Sequence, residues 1–135
     1  MRRLLFLLFA VLMLGPPGWS QSLAKTFTFT ANGQTKCIGT NNLPTVGITI
    51  TGTSTLTFQP EVSINGGTPQ DSQVTPTTCA TAPCSPQNTI STSGSTNAAY
   101  IAPVGGFDSF CLNVSSYSSG TATVTLNPSS ASFWL

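Results

Sequence analysis

Few residues in this chain are equipped for chemistry. The acids are Glu61, Asp71 and Asp108, the bases are Arg2, Arg3, Lys25 and Lys36, and there is no histidine. Charged residues make up 5% of the 135 positions, against about 25% in an average soluble protein. Acid–base and metal chemistry near neutral pH leans on His or on paired carboxylates, so most hydrolase and metalloenzyme designs are excluded. Serine is abundant, but a Ser–Lys dyad would have to use Lys25 or Lys36. Both are expected on an exposed hairpin, and such a base must be desolvated to work. Four cations are too few for a nucleic-acid surface, so no nucleic-acid partner is expected.

Two clusters remain. In a hairpin centred near Gly66, Glu61 and Asp71 would lie roughly opposite each other. Carboxylates about 5 Å apart can form a glycosidase pair or part of a calcium site. Here only Asp108 is left to complete either one, and Pro60 leaves the register open. Two solvated side chains on an outer face is the expected state, with calcium at Glu61 and Asp71 the weaker alternative. No catalytic residue and no cofactor is expected. The second cluster is Cys37, Cys79, Cys84 and Cys111. In an exported chain four cysteines suggest two disulfides. Zinc is the rival reading of Cys79-x4-Cys84, but Cys37 and Cys111 are distant in sequence and no His assists.

Export is expected from the N-terminus. Arg2 and Arg3 precede an unbroken apolar run from Leu4 to Leu14, and Gly15-Pro16-Pro17-Gly18 then breaks any helix. Gly18 and Ser20 have the spacing of a signal-peptidase site. Residues 1–20 therefore read as a secretory signal, with cleavage after Ser20 or, alternatively, after Ala24. As a helix the apolar run spans about 16 Å, roughly half a bilayer core. Membrane contact is expected only through this segment, if it stays uncleaved. The protein is placed in the periplasm, on the cell surface or outside the cell.

From Gln21 onward there are 22 Thr and 16 Ser, a third of the remaining chain. Polar tracts of that kind often stay unfolded. Here, however, apolar residues recur at two-residue spacing, as in half-buried strands. Phe27 and Phe29 alternate with threonines, and Asn32-Gly33 is a strong hairpin signal leading to Ile38. Val46, Ile48 and Ile50 alternate. Leu56, Phe58, Val62 and Ile64 continue in one phase, interrupted at Pro60. Further strands are expected on either side of Gly94, at Ser109–Ser115, and at Thr121–Leu126 after a turn at Ser118-Ser119-Gly120. No helical periodicity runs for three turns. Eight or nine short strands with turns at this spacing indicate an all-β domain over residues 21–128. The expected architecture is a two-sheet antiparallel sandwich or jelly roll, followed by an apolar tail at 129–135.

Several blocks resemble a small β-sandwich domain of tailed-phage and prophage structural proteins, over roughly residues 45–127. They are G-I-T-I-T-G-T (Gly47–Thr53), L-T-F-x-x-x-V-S-I-x-G-G (Leu56–Gly67), Tyr100 in A-Y-I-A, and the long block from Gly106 to Leu126. The resemblance implies a non-catalytic virion or surface role. Two features depart from it. Such proteins usually lack a secretion signal, and Cys111 stands where the family commonly has Arg. A phage-like module adapted to export fits both.

Strand phase then suggests the cysteine pairing. If Phe27, Phe29 and Ile38 share the inner face of the first hairpin, Cys37 faces outward. With Phe110, Leu112 and Val114 inward, Cys111 also faces outward. Cys37–Cys111 on neighbouring strands and Cys79–Cys84 within one loop are the expected bonds. Candidate contacts with a partner are Tyr117, beside a turn, and the apolar end Phe133, Trp134 and Leu135. Three function classes remain. The leading one is a structural or self-assembling surface protein. A glycan- or surface-binding adhesion module comes second, and an enzyme is the least favoured. The expected partner is the protein itself, a surface glycan or a surface protein.

Overall fold

The computed structural model describes residues 23–130. The signal segment at 1–20 and the apolar end Phe133–Leu135 lie outside the described residues. Within them the chain is all β. The elements are β1 (Lys25–Phe29), β2 (Thr35–Gly39), β3 (Thr45–Ser63), β4 (Gln70–Asp71), β5 (Thr75–Pro76), β6 (Ile90–Pro103) and β7 (Ser109–Ser129). All pairings are antiparallel. The sheet order is β1-β7-β3-β6-β5, with β2 also on β7 and β4 also on β3.

Instead of eight or nine short strands the described residues form seven, and three of them run 14, 19 and 21 residues. Gly94 and Gly120, expected to separate strands, bend them instead. Gly52, Gly94 and Gly120 all have positive φ, yet each lies inside a continuous strand. In the register Ser54 faces Gly94 on one side and Gly120 on the other. The bends therefore fall on one line across β6, β3 and β7. Tyr117 fixes the line on β7, its hydroxyl donating to the Gly120 carbonyl at 2.9 Å. Next to the line, the hydroxyls of Ser54 and Thr92 bond each other at 2.9 Å, out of solvent.

The bend line folds one sheet into two layers. Phe29 is tied through Ala122 to the level of Gly52, while Phe58 lies six residues further along β3. A flat sheet would hold the two rings about 20 Å apart. Their centroids are 5.0 Å apart, in an edge-to-face contact. The two separate sheets expected from sequence are thus one continuous sheet bent over a common core. That core contains Val46, Ile48, Ile50, Leu56, Phe58, Val62, Ile90, Phe110, Leu112, Val114, Val124 and Leu126.

Four further expectations are corrected. β1 and β2 do not form a hairpin with each other, because both pair with β7 on either side of its bend. Asn32-Gly33 instead carries the chain across the inside of the corner, where Gly33 N–H donates to the Val114 carbonyl at 2.9 Å. Ser118-Ser119-Gly120 does not reverse the chain. Ile64 is 53% exposed because β3 ends at Ser63 and Ile64 enters a turn. Pro60 does not break β3, and its carbonyl accepts the Ser72 N–H beside β4.

Candidate functional site

The turn after β3 brings two carboxylates into register. Glu61 and Asp71 are direct partners across the β3–β4 pair. Glu61 is half-buried and accepts from Asn113 Nδ2 at 3.3 Å, while Asp71 is exposed. Asp108 is not part of this pair. Its carboxylate accepts the Asn65 N–H, its own N–H donates to Ser63 O, and its carbonyl accepts from Thr40 N–H. Asp108 therefore clasps the turn after β3 to the loop before β7. Among the described residues no group of three His, Cys, Asp or Glu could hold a metal ion.

Like charges directly opposite on a sheet repel. Replacing Glu61→Gln together with Asp71→Asn should therefore leave stability within about 0.5 kcal/mol, with any change favouring the variant at low salt. Urea unfolding with and without chelator checks this. A melting temperature that falls with chelator and returns with calcium would make the pair a cation site.

The cysteines lie at two places. Cys37 and Cys111 are bonded and are register partners between β2 and β7, on the outer face of the sheet. Cys111 also faces Glu61 on its other side, and between these two neighbours it is only 4% exposed. Cys79 and Cys84 are bonded within the loop between β5 and β6.

Every described aromatic packs into or against the core. Phe29, Phe58 and Phe110 are fully buried, and Phe27, Tyr100, Phe107 and Tyr117 are partly so. Tyr117, a candidate contact residue, spends its hydroxyl on the Gly120 carbonyl. Burial pushes the Tyr100 phenol above its ordinary value, so the fold favours its neutral form. Its contribution is complete below the ordinary phenol range and is lost as pH rises through that range and beyond.

The outer face is lined with hydroxyls instead. Thr26, Thr125 and Thr49 form one row across β1, β7 and β3, and Thr28, Thr123 and Thr51 form the next. Thr26 and Thr125 are bonded through their hydroxyls at 2.9 Å. The sequence reading did not single out one stretch of this face. Among the described residues, Ser91 to Asn97 of β6 has no strand on its outer side, and its signal in sequence is seven residues with neither charge nor proline.

No family model matches the chain, and no curated protein matches it. Two solved structures share its fold. The first is the SPBc2 prophage-derived protein YomS, with a TM-score of 0.57 and 11% identity, covering 78% of this chain and 95% of that one. The second is the PBSX exported protein XepA, with a TM-score of 0.57 and 14% identity, covering 76% of this chain and 37% of that one. The first is named as prophage-derived and the second as exported. The resemblance to prophage proteins read from Gly47–Leu126 holds at the level of the fold. This chain spans little more than a third of XepA's length.

Proposed function

We propose that the chain is an exported, non-catalytic structural protein that assembles on a surface, built on a prophage-type β fold. The observation that carries this reading is the fold shared with two solved proteins, one named as prophage-derived and the other as exported. Three features support it. The N-terminus reads as a secretory signal, the described acids are committed to a cross-strand pair and a turn clasp, and the outer face where β1, β7 and β3 adjoin carries rows of threonine hydroxyls. A virion or prophage component is the nearest form of the same role.

The test is expression of the full chain in a bacterial host, fractionation, N-terminal sequencing and electron microscopy of the exported material. The expected product begins at Gln21 and forms particles, filaments or surface-bound material. A cytoplasmic product that keeps Met1 would overturn the export part. An exported monomer that never assembles would overturn the structural part.

A further inference from the structure

The edges of the sheet are not equally protected. Exposed edge strands usually carry charges, proline or cover, because their free N–H and C=O groups invite another strand. β1 carries Lys25 and β2 carries Lys36. β6 carries no charged residue, and its only proline is the terminal Pro103. On the side away from β3, β5 pairs with β6 only at Tyr100 and Ile101, and Thr77 N–H reaches Ala99 O at 2.9 Å. At the other end, Val74 bridges to Gln87. Among the described residues, Ser91 to Asn97 has no strand on that side.

Which groups face outward follows from strand alternation. Ala99 directs its carbonyl to Thr77, away from β3, so the odd-numbered residues share that direction. Ser91, Ser93, Ser95 and Asn97 therefore offer their N–H and C=O groups at the edge. The even-numbered Ile90, Thr92, Gly94, Thr96 and Ala98 face β3.

Two observations select the occupant. The stretch Thr92-Ser93-Gly94-Ser95-Thr96 reads the same in both directions. It is also bent at its centre, where Gly94 has a φ of 75° on the shared bend line. A straight strand cannot follow this edge on both sides of Gly94. A second copy turned by a two-fold axis normal to the sheet bends at the same point and toward the same face. Placing Gly94 opposite Gly94 pairs Ser93 with Ser95 and Ser91 with Asn97 in each direction. All four are hydrogen-bonded pairs, and each exchanges two bonds. Such a contact is isologous, as two-fold interfaces must be. The bend line then continues from one copy into the other.

We propose that the β6 edge from Ser91 to Asn97 is a two-fold pairing surface for a second copy of this chain, centred on Gly94. This rests on the structural reading above and names its partner. Seven residues a side form a contact smaller than a standard stable interface, so pairing is reversible and depends on concentration.

The test uses the full exported, oxidised protein. Sedimentation over a wide concentration range should show a monomer–dimer equilibrium. Amide exchange at Ser91, Ser93, Ser95 and Asn97 should slow at least tenfold at high concentration, while Thr92 and Thr96 stay unchanged. Ser93→Lys with Ser95→Lys places like charges opposite each other in this register and should weaken pairing at least tenfold. Ser93→Lys with Ser95→Glu places opposite charges there and should restore it. Both positions are exposed, so these variants should fold. Assemblies that form with the four amides unchanged, or that ignore both variants, would overturn the edge and leave the structural reading standing. A monomer at every concentration, with no assembly by microscopy, would overturn both.

Discussion

Gly120→Ala is expected to lower stability by about 3 kcal/mol, and Gly94→Ala by only about 1 kcal/mol. Both glycines have positive φ, 88° and 75°, and a Cβ costs roughly 1–2 kcal/mol there. Their surroundings differ. A Cβ on Gly120 would sit 2.1 Å from the Thr53 carbonyl oxygen and 2.8 Å from Ser54 Cα, both backbone atoms. A Cβ on Gly94 would meet nothing within 4 Å. Gly52 repeats the close approach from the other strand, its Cβ falling 2.4 Å from the Thr121 carbonyl oxygen. β3 and β7 therefore cross the bend nearly in backbone contact, and neither side can retreat without opening the pair. Overpacking adds about 1–3 kcal/mol to the dihedral cost. Urea unfolding of the two variants against the parent protein measures the difference. If Gly120→Ala were as mild as Gly94→Ala, the crossing would be looser than described.

The same glycines mark where the sequence stops being legible. Alternation is local, so the faces of Val46–Ile50, Phe110–Val114 and Ala122–Leu126 could be read directly, and the structure buries the residues assigned inward there. A positive-φ glycine, by contrast, serves equally to reverse a chain or to bend it. Only long-range pairing decides between them. Ser54 with Gly94 on one side and Gly120 on the other is such a pairing, and nothing near Gly94 in the sequence announces it. Asn32-Gly33 was ambiguous in the same way. It suits a hairpin turn and equally suits a corner between two strands that both lie on β7. The outward phase of Cys37 did not depend on that hairpin. Ile38 and Cys37 alternate whichever strand lies beside them, and against β7 they face Phe110 and Cys111. The carboxylates were legible only as a possible pair, because Pro60 obscured the register between Glu61 and Asp71. Asp108 showed no signal, since its role depends on a turn more than forty residues away in sequence.

Removing the Cys37–Cys111 bond should cost the fold more than any other change considered. β2 is five residues long and, among the described residues, has β7 as its only strand partner. The bond fastens this short edge strand to β7 near the middle of their pairing, and it closes a loop with a sequence separation of 74. Constraining the unfolded chain over such a loop is worth about 4 kcal/mol in the chain-entropy model. Cys79–Cys84, with a separation of 5, is worth about 2 kcal/mol by the same reasoning. Alanine is the right replacement at Cys111, because a serine hydroxyl at a 4% exposed site would need a new partner. Cys37→Ala with Cys111→Ala should therefore lower the urea midpoint about twice as far as Cys79→Ala with Cys84→Ala. Exposure predicts the order of reduction as well. Cys79 is exposed and sits in a loop, whereas the Cys37–Cys111 bond is shielded at Cys111. Mild reductant should open Cys79–Cys84 first and leave the folded spectrum intact, with unfolding following only when the second bond opens. Equal losses from the two double replacements, or unfolding on loss of Cys79–Cys84 alone, would mean that the loop between β5 and β6 holds the fold together more than the β2 edge does.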